Sequence, residues 1–310
     1  VLSSQIEGTQ ASLTDVLDID TNSEKEMDIK DVVNYVNAME YGLKRLESFP
    51  LCLRLIREIH AQLLSDGRGS NRNPGEFRTT QNWIGPAGCT LSTATFIPPA
   101  VPDMTKALSD LENFFYEDDD LPSLIKIALI HAQFESIHPF LDGNGRVGRL
   151  LITFWLCAEK ILSQPLLYLS YYFKLNRTEY YDRLMAVRKK GDWEGWIKFF
   201  LRGIATVSDE ATESAKSIIS LKENCSKILN SYNNSNYQKL LDTLFINSFV
   251  TKNKVAELLD VSYPTASTMV EEFIRLGILH DITRNQQRNK RYVFAQYVEI
   301  LNRGTETINH

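Results

Sequence analysis

His138-Pro139-Phe140-Leu141-Asp142-Gly143-Asn144-Gly145-Arg146-Val147-Gly148-Arg149 brings an imidazole, a carboxylate, a carboxamide, three glycines and two guanidinium groups into one short stretch. Leu121–Ile137 before it has the apolar spacing of a helix, and Arg149–Ile161 after it reads as a strongly apolar helix central to the core. The stretch is therefore a loop between two helices. Glycines at 143 and 145 tolerate left-handed angles, which lets successive N–H groups converge on an anion while the next helix adds the positive end of its dipole. Arg146 and Arg149, three residues apart, share one face of that helix start, where planar forks grip separate phosphates. Asp142 offers hard oxygen to Mg2+, which binds through one or two carboxylates plus substrate phosphates. His138, with a reference pKa of about 6.5, suits a general base.

These parts fit polyphosphate chemistry. His138 is expected to deprotonate a Ser, Thr or Tyr hydroxyl, whose oxygen attacks the α-phosphorus of the polyphosphate. Pyrophosphate then leaves with Mg2+ while the Gly143–Gly145 amides hold the developing charge. The bland alternative is a turn that merely ends a helix, but such a turn needs neither Asp and Asn nor two spaced arginines beside a histidine.

Working outward, Asp28–Leu64 reads as two helices separated by Pro50, and 66–88 as a long irregular loop rich in Gly, Asn and Pro. Thr90–Ile97 reads as a short strand or hairpin, stopped by Pro98-Pro99. Met104–Phe115 and Leu121–Ile137 are helical by period, and the acidic run 117–120 between them is expected to cap the second. Further helices follow to about Leu221, and the polar stretch 230–236 marks a domain boundary.

The segment 138–149 fills every fixed position of the His-Pro-Phe-x-Asp-Gly-Asn-Gly-Arg-x-Gly-Arg motif and so resembles the Fic family. The resemblance extends over roughly Leu2–Gly203, including Gly75-Glu76-Phe77-Arg78, Gln81-Asn82-Trp83-Ile84-Gly85 and His131-Ala132-Gln133-Phe134. It implies a mainly α fold, a helical bundle with a small β-hairpin flap. It also implies AMP transfer from MgATP to protein hydroxyls, with His138 catalytic, Asp142 at the metal, and Gly143, Asn144, Gly145, Arg146 and Arg149 at ATP.

Ser3-Ser4-Gln5-Ile6-Glu7-Gly8 resembles the family's inhibitory helix motif, which implies that Glu7 pairs with Arg149 and keeps the γ-phosphate out of place. Thr93–Ile97 resembles the flap over the site, whose edge would dock a target protein by main-chain hydrogen bonds. Leu169–Leu184, with Tyr171, Tyr172, Asn176, Tyr180 and Tyr181, reads as core or as a nucleoside wall. The resemblance favours Asn176 as a polar contact to ATP and Tyr180 or Tyr181 beside adenine.

Tyr237–Ala295 reads as a C-terminal winged helix, with a basic hairpin tip at Arg284, Arg288, Lys290 and Arg291. Its third helix offers Ser262, Tyr263, Thr265 and Thr268 but no base-reading arginine, and Glu271 and Glu272 would repel phosphate. DNA contact and a target-recruiting or dimerising module stay equally open. The expected division is an inhibitory helix and linker over 1–27, a Fic catalytic domain over 28–221, a linker over 222–236 and a winged-helix-like domain over 237–310.

With 43% hydrophobic and 24% charged residues, the 310-residue chain has the balance of a globular protein. Its net charge of -5 argues against a surface that coats nucleic acid. No apolar run reaches the roughly 20 residues of a membrane span. Cys52, Cys89, Cys157 and Cys225, widely spaced, read as buried reduced thiols of a cytoplasmic protein. The chain opens Val-Leu-Ser-Ser, with no secretion signal and no initiator Met, and reads as if more chain preceded it. The alternatives are a transcription regulator that only senses nucleotide, and a Fic enzyme that uses another donor or removes AMP. A homodimer is compatible with all of them.

Overall fold

The computed structural model describes residues 1–12, 15–16, 26–86, 88–117, 120–232, 234–283 and 290–303. They form two compact units, Val1–Ala11 with Ser23–Asp209, and Ser12–Asn22 with Glu210–His310. The fold is mainly α, as the sequence predicts. The first unit contains α1 (Leu2–Ile6), α2 (Glu26–Leu46), α3 (Leu53–Leu63), α4 (Val101–Tyr116), α5 (Ser123–Ile137), α6 (Asn144–Ala158), α7 (Leu169–Leu175), α8 (Arg177–Lys190) and the start of α9 (Trp193–Leu229).

Two helices make the centre. On α5, Ile127, Ala128, Ile130, Ala132, Phe134 and Ile137 are buried around most of the circumference, the pattern of an enclosed helix. α6 packs on α2, α3 and α5 and buries Val147, Leu150, Leu151, Ile152, Phe154 and Trp155. Full burial of each large apolar side chain contributes roughly 1.5–3 kcal/mol. The loop 138–143 is therefore gripped at both ends by two largely buried helices.

Thr90–Ile97 differs from the expected strand or hairpin. It is a single 3-10 turn, Leu91–Thr93, followed by one antiparallel bridge between Ile84 and Phe96. Thr90 and Thr93 each bond the other's backbone N–H, a local arrangement that competes with a ladder, and Pro98-Pro99 supply no donors to extend one. Among the described residues no acidic side chain caps α5. Pro122 stands at its N-cap, and residues 118–119 lie outside the described residues. All four cysteines are free but only Cys225 is buried.

The second unit takes α9 from Glu210 onward. It adds α10 (Ser235–Ile246), β1 (Phe249–Thr251), α11 (Lys252–Leu259), α12 (Tyr263–Arg275), β2 (His280–Asp281), β3 (Arg291–Val293) and α13 (Ala295–Asn302). The sheet is antiparallel in the order β1-β3-β2, with Phe249 and His280 both opposite Val293. Asn234, Thr251 and Ser262 cap the three helices that follow them. Leu240, Leu244, Val255, Met269, Phe273, Tyr292 and Phe294 form its core.

Residues 222–229, expected within a linker, continue α9, and the units divide between Asp209 and Glu210. The cause is the spacing of Leu221, Cys225 and Leu229, which places one helical face in the second core. Of the basic hairpin tip, Arg284 and Arg288 lie outside the described residues, as does Asn233 of the polar break. No described helix is long and apolar enough to cross a membrane.

Candidate active site

α5 ends at His138, whose φ of 50° and ψ of 61° are left-handed, with its N–H donating to the Phe134 carbonyl at 3.0 Å. A side chain with a Cβ is uncommon there and must be held by its surroundings. Arg78, only 2% exposed, holds it. Its Nε donates to the His138 carbonyl at 3.1 Å, Nη1 to the Thr80 carbonyl at 3.3 Å and Nη2 to the Pro99 carbonyl at 2.5 Å. Asn82 donates to the Phe140 carbonyl at 3.0 Å.

His60 supports the loop from the other side. Its ring lies flat on Phe140, centroids 3.7 Å apart. Nδ1 accepts the Gly75 N–H at 2.8 Å, so Nε2 is the donor to the Asp142 carbonyl at 3.0 Å. Burial pushes its pKa down to about 4, which keeps the neutral form this arrangement requires.

His138 is partly exposed, yet burial by its neighbours pushes its pKa to about 3. Arg188 and Arg78 lower it further, while the Glu135 carbonyl opposes them. The ring is thus neutral at pH 7, with both nitrogens uncharged, but a weaker base than the ordinary imidazole from which its role was read.

α6 starts from Gly143 at φ 74°, an angle that a Cβ would disfavour. Asn144, assigned to the nucleotide from sequence, closes the loop on itself: its Oδ1 accepts the Phe140 N–H and its Nδ2 donates to the Phe140 carbonyl, both at 2.8 Å. It shapes the turn rather than reaching out of it. Asp142 Oδ1 accepts the Gly143 N–H at 2.6 Å and lies 3.5 Å from Arg146 Nη2, and the side chain is 36% exposed. No three His, Cys, Asp or Glu cluster as a metal-binding group among the described residues. The arrangement fits a cation held by this single carboxylate together with substrate oxygens.

Arg146 and Arg149, each 3% exposed, converge on Glu7. Arg149 Nη2 donates to Glu7 Oε1 at 2.7 Å and to the Ser3 carbonyl at 2.9 Å, and Nε to Ser3 Oγ at 2.8 Å. Ser3 and Glu7 lie four residues apart on one face of α1, which is why a single guanidinium reaches both. Burial works against the Arg149 charge, but Glu7, Tyr180, Tyr181 and Glu135 outweigh it and raise the pKa. Arg146 Nε stands 3.0 Å from Glu7 Oε2 without hydrogen-bond alignment, an ion pair that the sequence reading, which paired Glu7 with Arg149 alone, did not contain. A Cβ on Gly145 would lie 2.5 Å from Glu7 Oε1, so the glutamate occupies the space directly above that glycine. Lys174 Nζ, bonded to Gln5 Oε1 at 2.7 Å, adds a further tie to α1.

Asn176 caps the end of α7 and donates to the Tyr172 carbonyl at 3.0 Å. Tyr180 is core, 1% exposed, and its hydroxyl meets His131 Nε2 at 2.9 Å, so of the two tyrosines considered for adenine only Tyr181, 41% exposed and with the Arg177 guanidinium 5.9 Å over its ring, is accessible. His131 Nδ1 bonds the Gly148 carbonyl at 2.9 Å and ties α5 to α6.

Sequence reasoning assigned no role to Arg78, Asn82, His60, Glu135 or Arg188. Glu135 is a carboxylate inside a mostly apolar helix, a signal the sequence carries. It is 7% exposed, burial raises its pKa to about 7, and it presses on Gly148, where a Cβ would lie 2.5 Å from its Oε1.

A family model described as Fic/DOC family matches residues 50–156, and one described as Fic/DOC family N-terminal matches residues 1–44. The chain is 27% identical over 183 residues to Protein adenylyltransferase Fic of Drosophila grimshawi, a match covering 58% of this chain and 32% of that protein. It is 29% identical over 165 residues to the protein of the same name in Culex quinquefasciatus, covering 53% of this chain and 29% of the relative. The match thus spans about a third of these curated relatives. Among solved structures, a Fic family protein from Desulfovibrio desulfuricans aligns with a TM-score of 0.59 at 20% identity, over 94% of this chain and 84% of the other. A Fic domain containing signaling protein from Bacteroides thetaiotaomicron aligns with a TM-score of 0.55 at 19% identity, over 69% of this chain and 84% of the other. These two speak to the fold.

Proposed function

We propose that this chain, whose first unit carries a Fic/DOC-family domain, transfers AMP from ATP to a Ser, Thr or Tyr hydroxyl of another protein. The observation that carries the reading is the convergence of buried Arg146 and Arg149 on one carboxylate, Glu7, beside the glycine loop that follows His138. Two guanidiniums arranged around one anion form a seat suited to phosphate.

In this mechanism His138 takes the acceptor's proton as the hydroxyl oxygen bonds the α-phosphorus. The bond from that phosphorus to the bridging oxygen breaks, and pyrophosphate leaves with its electron pair. Arg146, Arg149 and the Gly143–Gly145 amides hold the triphosphate in line. Mg2+ held by Asp142 would neutralise charge on the leaving phosphates. Glu7 competes with the γ-phosphate for Arg149 and acts as a brake. The acceptor backbone would dock along 93–97 beside the Ile84 bridge, with Asn176 and Tyr181 toward the nucleoside. Intact-mass measurement of the Glu7→Gly protein and candidate targets after reaction with MgATP tests the reading. An added AMP that vanishes in His138→Ala supports it, and unchanged masses refute it.

For the second unit we propose a winged-helix module that recruits a macromolecule. The order helix, strand, two helices and a hairpin supports it. Lys252 pairs with Glu271 at 2.6 Å and Arg275 with Glu272 at 2.5 Å, so the two glutamates are less repulsive to phosphate than their sequence implies. DNA therefore stays a candidate partner of this module. Retardation of duplex DNA by the full chain, lost at high salt, tests it, and absence of retardation at low salt counts against it.

A further inference from the structure

Arg188, on α8, is a cation given no contact with substrate in the transfer mechanism, although its charge acts on His138. Its Nη2 donates to the Glu135 carbonyl at 2.8 Å and its Nε to Ser136 Oγ at 3.2 Å, while its guanidinium carbon stands 4.0 Å over the Phe96 ring. Glu135 and Ser136 belong to the last turn of α5, where carbonyls lack partners within the helix, and His138 follows directly. Phe96 is the residue that bridges to Ile84, donating to its carbonyl at 3.1 Å and accepting its N–H at 2.9 Å. One planar cation therefore touches both the turn that bears the base and the segment that would present the acceptor. A guanidinium donates at its edge while stacking through its face, and a lysine ammonium has no such plane.

We propose that Arg188 is a positioning residue for the protein acceptor, locking Phe96 of the flap and the His138 turn into one body so that a docked hydroxyl arrives at the imidazole. The proposal rests on the transferase reading above. Arg78 ties the same parts together by bonding both the His138 and Pro99 carbonyls. Misplacing reacting atoms by about 1 Å costs on the order of 10²-fold in rate. The contacts of Arg146 and Arg149 do not pass through Arg188, so nucleotide affinity is expected to stay intact.

The test compares Arg188→Met, Arg188→Lys, Phe96→Leu and the Arg188→Met/Phe96→Leu double variant, all in the Glu7→Gly protein. Automodification with α-labelled ATP and Mg2+ reads transfer, and calorimetric titration with a non-hydrolysable ATP analogue reads nucleotide affinity. Hydrogen exchange at the Thr95 and Phe96 amides, both bonded to the Ile84 carbonyl, reads the flap. Arg188→Met is expected to label roughly 10- to 100-fold more slowly with analogue affinity retained and faster amide exchange. Arg188→Lys should recover little of the labelling. The double variant should be no slower than Arg188→Met alone, because both changes break one contact. Unchanged labelling, additive losses, or a loss matched by weaker analogue binding would overturn the proposal. Unchanged exchange in Arg188→Met overturns the brace by itself. No label in the Glu7→Gly parent overturns the transferase reading and the acceptor role with it.

Discussion

Replacing Glu7 with glycine removes the carboxylate shared by Arg146 and Arg149, and the structure sets the size of the response. A hydrogen bond between charged groups contributes about 1.5–3 kcal/mol. The Arg149 bond at 2.7 Å qualifies in full, whereas the Arg146 contact lacks alignment and adds little. The Glu7 side chain is 28% exposed, so the lower middle of the range applies. About 2 kcal/mol of preference for the closed seat is then lost, which at 1.36 kcal/mol per decade is about 30-fold. Initial incorporation of α-labelled ATP should rise by about that factor, and by roughly fivefold in Glu7→Gln, where a neutral acceptor remains. Because Ser3 still binds Arg149, α1 does not depart entirely. Without nucleotide, Glu7→Gly should melt earlier than the parent, since two buried guanidiniums lose their counter-charge, and MgATP should stabilise it more. Equal labelling rates in the parent and both variants, or slower labelling in Glu7→Gly, would refute the reasoning.

His138→Ala is expected to label about 10²- to 10⁴-fold more slowly while binding an ATP analogue normally, and retained labelling would remove the histidine from the chemistry. Gly148→Ala places a Cβ 2.5 Å from Glu135 Oε1, an overpacking expected to cost about 1–3 kcal/mol in denaturant unfolding; no change in midpoint would contradict that contact. Stability should depend on pH through His60, His131 and His138, held in the folded state at about 4, 3 and 3. Their unfolded forms take up protons below about pH 6.5, so this stability is present above that pH and lost as pH falls toward 4. Glu135, raised to about 7, works the other way between pH 7 and 4.5 and offsets one histidine of the three. The melting temperature should therefore drop between pH 6.5 and 4.5, and a flat profile would contradict the burial of these rings.

Much of this was legible in the chain. The helices flanking 138–149 could be read because apolar spacing reports burial directly, and the loop because so many chemical groups fall within one turn of chain. The Ser3-to-Glu7 spacing pointed to Arg149 through the family likeness. Contacts set by long-range packing could not be read this way. Arg78 falls in a segment that carries the family likeness, but nothing local shows that it bonds three carbonyls, and the Arg188 stack on Phe96 joins residues far apart in sequence. Thr90–Ile97 misled for a different reason: β-branched residues favour strands on average, but Thr90 and Thr93 satisfy each other's backbone first. Asn144 was placed at the nucleotide by the family resemblance, whereas its carboxamide bonds Phe140 and closes the loop.

The central claim is that the His138 loop breaks ATP between its α- and β-phosphates and keeps the AMP on a hydroxyl. The Glu7→Gly protein should be incubated with Mg2+ and ATP labelled at the α-phosphate in one reaction and at the γ-phosphate in another. Protein-bound label from the α-position alone, on a peptide whose modified residue is Ser, Thr or Tyr, is the predicted result. Label from the γ-position, or α-label that persists in His138→Ala, would contradict it.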